Sequence, residues 1–181
     1  KSRVNPIVYG NGLFIVGTSS YPSGKLMISS DAETWSNGGK IAAPGLTHFR
    51  NGAFGNGVFV FVGNGQTKDG AGERKPIHWA ITTEDGKTIT HENTSLPAHG
   101  NLHFGGGRFV MLSHEGVMLS SADGREWSEQ KFPEEKGPRW LVWDGRQFLA
   151  GSNKAGWRSA NGVAWEESDL RCNSHLKWTD G

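Results

Sequence analysis

The heptapeptide SADGREW, residues 121–127, decides the fold, because close variants of it return three times in the chain. The other copies read SSDAETW at 29–35, TEDGKTI at 83–89 and SANGVAW at 159–165. An Asp or Asn side chain can accept a hydrogen bond from the backbone two residues later and so fold a turn. The following Gly supplies the left-handed conformation that such a turn needs. The pattern therefore predicts four equivalent turns.

The Asp, Asn and Trp residues of these copies are predicted to be structural. The ring that ends three of them is expected to bury a large face between neighbouring sheets. In the first copy Ala32 replaces the Gly, which costs about 1 kcal/mol if that residue is left-handed. In the second copy Ile89 replaces the Trp. The structural residues predicted in this way are Asp31, Trp35, Asp85, Asp123, Trp127, Asn161 and Trp165.

A second phrase, in which a short turn joins two apolar strands, also recurs. It reads YGNGLFIVG from Tyr9, and its aromatic anchor returns at Phe54, Phe104, Trp143 and Trp178. Asn-Gly between two apolar runs is the strongest short hairpin signal, because both central residues of that turn favour positive φ. With a third strand before each Asp or Asn turn and a fourth after it, each unit contains four short antiparallel strands.

Four-stranded units repeated at intervals of roughly 35 to 50 residues predict an all-β protein with a β-propeller fold. The predicted blades cover approximately 3–46, 47–97, 98–135 and 136–170, and residues 171–181 match the first strand of a fifth blade. The ring is therefore expected to be incomplete in this sequence. Further blades outside it are favoured over closure by a second copy or by another polypeptide.

The pattern S-x-D-G-x-x-W closely resembles the Asp box of bacterial-neuraminidase-type (BNR) repeats, which are found in sialidase-like β-propellers. The resemblance extends over nearly the whole chain and implies the propeller fold. Because many relatives are exported, it also implies an extracellular or periplasmic location. It implies no single activity, since this fold carries many functions.

A sialidase activity would need further residues. The resemblance implies a Phe/Tyr-Arg-Ile-Pro motif, three arginines, a tyrosine nucleophile helped by a glutamate, and an aspartate acid/base. This sequence has no Arg-Ile-Pro. Tyr9 occupies a hairpin anchor, and Tyr21 lies in a loop with no evident partner carboxylate. Hydrolysis by other carboxylates, such as Glu115, stays an alternative, and no catalytic residue is assigned.

The composition excludes several partners. Lys and Arg number 19 against 18 Asp and Glu, so bulk charge gives no argument for nucleic acid or an anionic membrane. No apolar run approaches the roughly 18 residues that a spanning helix needs. The single Cys172 forms no internal disulfide, and it lacks the second pair of ligands that a zinc site requires. No cofactor and no metal are predicted.

Candidate ligand-binding residues lie just before the inner strands. These positions converge on the mouth of the channel, at the end opposite the turns, and every unit places a basic or imidazole residue there. Such a set would focus positive potential on one opening, as suits an anionic or polyhydroxylated ligand. The candidates at these positions are His48, Arg50, His99, Asn101, Arg139, Arg171 and His175, and Arg3 and Asn5 share them. The loops between the second and third strands add the candidates Tyr21 and His114 to the same face, together with Lys25, Glu115 and Lys154.

Two other interpretations of this face remain open. The candidates can be solvated loop ends chosen for turn chemistry. A metal held by His48, His99 and His175 is less favoured, because His also occurs at unrelated places. The loop at 65–78 is about ten residues longer than its counterparts, and repeat proteins often place binding elements in such insertions. It is either such an element or a charged hairpin.

We therefore expect a binding or scaffold domain that recognises a glycan, an anionic ligand or a protein segment rather than an enzyme. A glycoside hydrolase of the sialidase type is the first alternative. An assembly propeller is the second, and a large exposed aromatic patch would favour it. Trp79, Trp140 and Trp157 are expected to be mostly buried, which disfavours such a patch.

Overall fold

A computed structural model describes residues 3–19, 24–42, 45, 47–68, 70–132 and 137–170. Within them, sixteen strands form four separate antiparallel sheets of four strands, and the strands of each sheet follow one another in chain order. The all-β prediction and the four-stranded units are confirmed. The predicted fifth-blade strand, together with Tyr21, Arg171 and His175, lies outside the described residues.

The strands have the following bounds. The first sheet contains β1 (Arg3–Gly10), β2 (Leu13–Ser19), β3 (Lys25–Ser29) and β4 (Ser36–Lys40). The second contains β5 (His48–Gly55), β6 (Val58–Lys68), β7 (Arg74–Thr83) and β8 (His91–Leu96). The third contains β9 (Gly100–Gly105), β10 (Arg108–Ser113), β11 (Met118–Ser121) and β12 (Ser128–Gln130). The fourth contains β13 (Trp140–Trp143), β14 (Phe148–Gly151), β15 (Gly156–Ser159) and β16 (Glu166–Ser168).

The hairpins between the first and second strands follow the predicted turn chemistry in three sheets. In the first sheet Asn11 and Gly12 have φ of 48° and 73°, and in the second Asn56 and Gly57 have 49° and 80°. In the third sheet Gly106 and Gly107 have φ of 53° and 76°. The double positive φ is the signature of the tight turn that matches strand twist.

The fourth hairpin differs, because an Asp occupies the position that Gly holds elsewhere. Trp143 pairs with Phe148, so the next residue, Asp144, corresponds to the Gly that follows each other anchor. Its Oδ1 accepts hydrogen bonds of 2.8 Å from the backbone N–H groups of Arg146 and Gln147. The sequence phrase WDG therefore does not align with GNG residue for residue.

Neighbouring sheets interlock through the anchor aromatics. The ring of Phe54 lies against the Cα of Gly10 in the preceding sheet, in the space that a Cβ would fill. Phe104 lies on Gly55 in the same way, and β1, β5, β9 and β13 pack side by side in that order. Tyr9, the anchor of the first sheet, is 61% exposed. Among the described residues, no comparable contact joins β13 back to β1.

The hydrophobic core lies in three layers, each between two successive sheets. The first layer includes Phe49 and Trp79, whose rings meet edge-to-face at 4.9 Å. Trp79, Trp140 and Trp157 are at most 3% exposed, which confirms the prediction that they are buried. Within the described residues, no helix is long and apolar enough to cross a membrane.

The insertion at 65–78 extends the second sheet. β6 and β7 remain paired from Phe59 and Thr83 out to Lys68 and Arg74, so the insertion is a two-stranded ribbon. Its backbone also bonds outside the ladder, since the N–H of Gln66 donates to the carbonyl oxygen of Gly45 at 3.1 Å.

Candidate ligand site

The four Asp and Asn turns share one hydrogen-bond pattern. Oδ1 of Asp123 accepts from the N–H groups of Arg125 at 2.9 Å and Glu126 at 3.2 Å. Asn161 accepts from Val163 and Ala164 at 2.9 Å in the same way. Asp31 and Asp85 make the equivalent bonds. A neutral amide oxygen therefore serves as well as a carboxylate, which indicates a structural acceptor.

The carboxylates of these turns are held in their charged form. Backbone N–H of Thr34, with the Ser29 hydroxyl and the N–H of Glu33, lowers the pKa of Asp31 to about 2. Backbone bonds also lower the pKa of Asp85, led by the N–H of Thr88 and opposed by burial. A carboxyl group with a lowered pKa carries no proton to donate at neutral pH, so these turns offer no general acid.

The turns mark one end of the molecule, here called the turn end. The side-chain amide of Asn56, in the second hairpin, donates to the carbonyl oxygens of Gly107 and Ala122 at 3.0 and 2.9 Å. Gly107 belongs to the next hairpin, and Ala122 to the Asp turn of the third sheet. The inner strands begin at the opposite end, the loop end, which carries the candidate residues.

At the loop end, four side chains act electrostatically on His99, and we call these five residues the imidazole cluster: Arg50, His78, His99, His114 and Glu115. The rings of His78 and His99 are 4.8 Å apart and inclined at 58°. Burial first, and then the charges of His78, Arg50 and His114, together lower the pKa of His99 to about 4, and Glu115 opposes this shift. The cluster joins groups from the second and third sheets.

Hydrogen bonds fix the edges of the cluster. Nε of Arg50 donates to Oδ1 of Asn64 at 2.7 Å, and Nη1 of Arg139 donates to the carbonyl oxygen of His114 at 3.1 Å. Nδ1 of His78 is 3.0 Å from the carbonyl oxygen of Pro97. Arg139 thereby attaches the start of the fourth sheet to the loop between β10 and β11.

The remaining candidates lie around the cluster or apart from it. His48 is exposed at the start of β5, paired with Asn64 across the ladder. Asn101 lies on β9 opposite Leu112. Lys25 donates to Oδ1 of Asn37 within its own sheet at 3.1 Å. Lys154 is exposed in the loop between β14 and β15, and Arg3 and Asn5 lie on β1. In the described residues, no three His, Cys, Asp or Glu side chains are grouped as a metal ion would require.

Sequence reasoning missed His78. The sequence placed it correctly in the third strand of its unit, which is β7, but did not single it out as a candidate ligand-binding residue; in the structure it lies opposite Asn64. Strand register could have identified it. Asn64 of β6 pairs with His48 of β5 on one side and with His78 of β7 on the other, so the three residues lie side by side at the loop end.

Comparison with solved structures identifies the architecture. No protein-family model and no curated protein matches the chain. The polysaccharide lyase Uly1 superposes with a TM-score of 0.56 at 9% identity, over 91% of this chain and 44% of that one. Trypanosoma rangeli sialidase superposes with a TM-score of 0.54 at 13% identity, over 93% and 37%. The fold is a β-propeller.

A third propeller shows the same relationship. The GH43 protein BlXynB from Bacillus licheniformis gives a TM-score of 0.52 at 12% identity, over 93% of this chain and 42% of that one. The chain thus spans less than half the length of each of these structures. At such identities the similarity establishes the propeller fold and leaves the activity to be argued from the site.

Proposed function

We propose that this propeller binds a carbohydrate at its loop end without cleaving it. The observation that carries the proposal is the imidazole cluster, in which the rings of His78 and His99 from two sheets lie 4.8 Å apart and Arg50 and His114 act electrostatically on His99. A small number of fixed polar groups is what orientation of a sugar requires. The solved structures with this fold support a saccharide ligand, since they include a sialidase and a polysaccharide lyase.

The number of carboxylates in the cluster favours binding over hydrolysis. Glycosidases generally use two carboxyl groups that face each other across the scissile bond. Of the five residues of the imidazole cluster, Glu115 alone carries a carboxylate. The Asp residues of the turns lie at the opposite end and are bonded to backbone N–H groups.

We further propose that the four turns are Asp boxes of BNR repeats and that the protein is extracellular or periplasmic. The shared bonding of Asp31, Asp85, Asp123 and Asn161 supports the first of these. The second rests on the resemblance to exported propellers.

The binding proposal is tested by calorimetry with a panel of neutral and uronic-acid-bearing oligosaccharides. Arg50→Ala and Arg139→Ala are expected to weaken binding with little loss of thermal stability, because both side chains are exposed and water can replace their hydrogen bonds to Asn64 and His114. Arg146→Ala, an exposed arginine at the turn end, is the matched control. Affinity unchanged in both loop-end variants would remove the proposal. Release of shortened saccharides during the incubation would replace it with hydrolysis.

A further inference from the structure

We propose that the imidazole cluster is an oxyanion site in which His78 takes up a proton when the anion binds. The ligand group is a sulfate or carboxylate, and Arg50 and protonated His78 are the groups that bind it. This deepens the proposed carbohydrate function and rests on the same end of the propeller, but it concerns the charge of the ligand and the effect of pH.

The tautomer of His78 follows from its hydrogen bond. A carbonyl oxygen only accepts, so the 3.0 Å contact with Pro97 requires the proton on Nδ1. In the neutral ring Nε2 then presents a lone pair, which repels an anion. A proton on Nε2 turns this atom into a charged donor and leaves the bond to Pro97 intact. Protonation of Nε2 therefore converts this nitrogen from a hydrogen-bond acceptor into a charged donor to an anion.

His99 limits the uptake to one proton in this pair. Its Nδ1 is buried and has no hydrogen-bond partner among the described residues, so a second N–H would be left unsatisfied there. The ring is 4.8 Å from that of His78, so two charged imidazoles would repel each other. With its pKa lowered to about 4, His99 stays neutral at pH 5.5 and above.

The other charged groups of the site set its resting charge. Arg50 is oriented by Asn64, which stands opposite His78 on the neighbouring strand. Glu115 opposes Arg50 in its effect on His99, so the charge of the cluster depends on its imidazoles. His114 is exposed, and its carbonyl oxygen accepts a hydrogen bond from Arg139.

Inorganic sulfate is the sharpest probe, because its own charge is constant across the range in which imidazoles titrate. Its affinity is measured by calorimetry from pH 5.5 to 7.5, and imidazole protonation by NMR. By linkage, one coupled proton weakens binding by up to about tenfold for each pH unit of increase. Sulfate is expected to raise the pKa of His78 by the reciprocal amount. Equal affinity at both pH values, or an unchanged His78 titration, would overturn the proposal.

Variants locate the proton. His78→Asn keeps an amide donor at the position of Nδ1 for Pro97 and is expected to abolish most of the pH dependence, whereas His91→Asn, outside the cluster on β8, should retain it. A slope that survives in His78→Asn contradicts the assignment. At pH 5.5 a uronic-acid oligosaccharide should displace sulfate and a neutral one should not, and equal displacement by both would show that the site does not recognise charge.

The two proposals fail separately. If oligosaccharides do not bind at any pH while sulfate keeps its slope in the native protein, the oxyanion site stands and the carbohydrate function falls. If oligosaccharides bind through Arg50 while sulfate shows no slope, the carbohydrate function stands and the proton coupling is wrong.

Discussion

The ring of Phe54 occupies the space beside Gly10 that a side chain would otherwise fill. Gly55 receives Phe104 and Gly105 receives Trp143 in the same manner. The recurring aromatic-Gly pair is therefore a joint, in which the Gly of one sheet accepts the anchor of the next. This explains why the two residues recur together, which turn chemistry alone does not require.

Filling one such joint should destabilise the propeller. Gly55→Ala places a methyl group against the ring of Phe104 between two packed inner strands, and overpacking of this kind costs about 1–3 kcal/mol. Gly70→Ala is the control, since a Cβ there would meet no atom within 4 Å. Urea unfolding of both variants gives the comparison. Equal midpoints would show that the joint relaxes without cost.

Replacement of Ala32 by Gly should increase the stability of the protein. Ala32 has φ of 61° where Gly86, Gly124 and Gly162 have 71° to 76° in the other turns. Ala32→Gly should stabilise the protein by roughly 0.5–1 kcal/mol, after the larger entropy of Gly in the unfolded chain is deducted. Differential scanning calorimetry should show a higher Tm, and a lower one would contradict the strain.

The opposite substitution, Gly to Ala, can be made at the equivalent position of the third turn, Gly124. A Cβ on Gly124 would overlap Val60 of the preceding sheet, so Gly124→Ala combines backbone strain with overpacking. It should therefore destabilise by more than Ala32→Gly stabilises. Ala32 is exposed, which explains why Ala is accommodated in the first sheet.

Local chemistry made most of the fold predictable. Asn-Gly and Ser-x-Asp-Gly specify their turns through φ and short-range hydrogen bonds, so strand order within each sheet could be read from the chain. Asp144-Gly145 resembles Asn-Gly in sequence, but Asp144 instead accepts hydrogen bonds from the N–H groups of Arg146 and Gln147. The fourth hairpin therefore required the structure.

The candidate site was less predictable, because it depends on how sheets meet. The strand starts indicated Arg50, His99 and Arg139 at one end, and the structure places them there around His114. His78 was assigned to a strand from the sequence but not to the site, because its proximity to His99 depends on how the second and third sheets pack. Contacts between sheets leave no short-range signal in the sequence.

Asn56 ties the second sheet to the third. Asn56→Asp replaces an amide that donates to the carbonyls of Gly107 and Ala122 with a negative charge facing both oxygens. The loss should be about 1–3 kcal/mol. Asn11→Asp, at the same turn position and with similar φ, is the control for backbone effects. Chemical denaturation should rank Asn56→Asp as the less stable, and equal stability would show that the tie contributes nothing.

The acceptor role of the turn side chains can be separated from charge. Asp123→Asn should change stability little, because Asn161 makes the same pair of bonds with an amide oxygen. Asp123→Ala leaves the N–H groups of Arg125 and Glu126 without their acceptor and should cost about 1–2 kcal/mol. Urea midpoints at pH 7 provide the measurement. A loss in Asp123→Asn as large as in Asp123→Ala would assign the stabilisation to charge.

Mild acid should destabilise the propeller through His103. Burial lowers the pKa of this imidazole on β9, although a hydrogen bond to the backbone of Leu141 partly offsets the effect. The unfolded chain then binds a proton near pH 6.5 that the folded chain resists, so stability is complete above that pH and declines below it. His99, with a pKa of about 4, acts in the same direction.

The slope of stability against pH distinguishes these imidazoles from the rest. Each contributes at most about 1.4 kcal/mol per pH unit between 6.5 and its folded pKa. Urea unfolding at pH 7.5, 6.5 and 5.5 should show a smaller decline in His103→Gln than in the native protein, and an unchanged decline in His91→Gln. The slope is compared rather than the absolute stability, because His103→Gln also alters packing beside Leu141. A native protein equally stable at all three pH values would contradict the lowered pKa of both imidazoles.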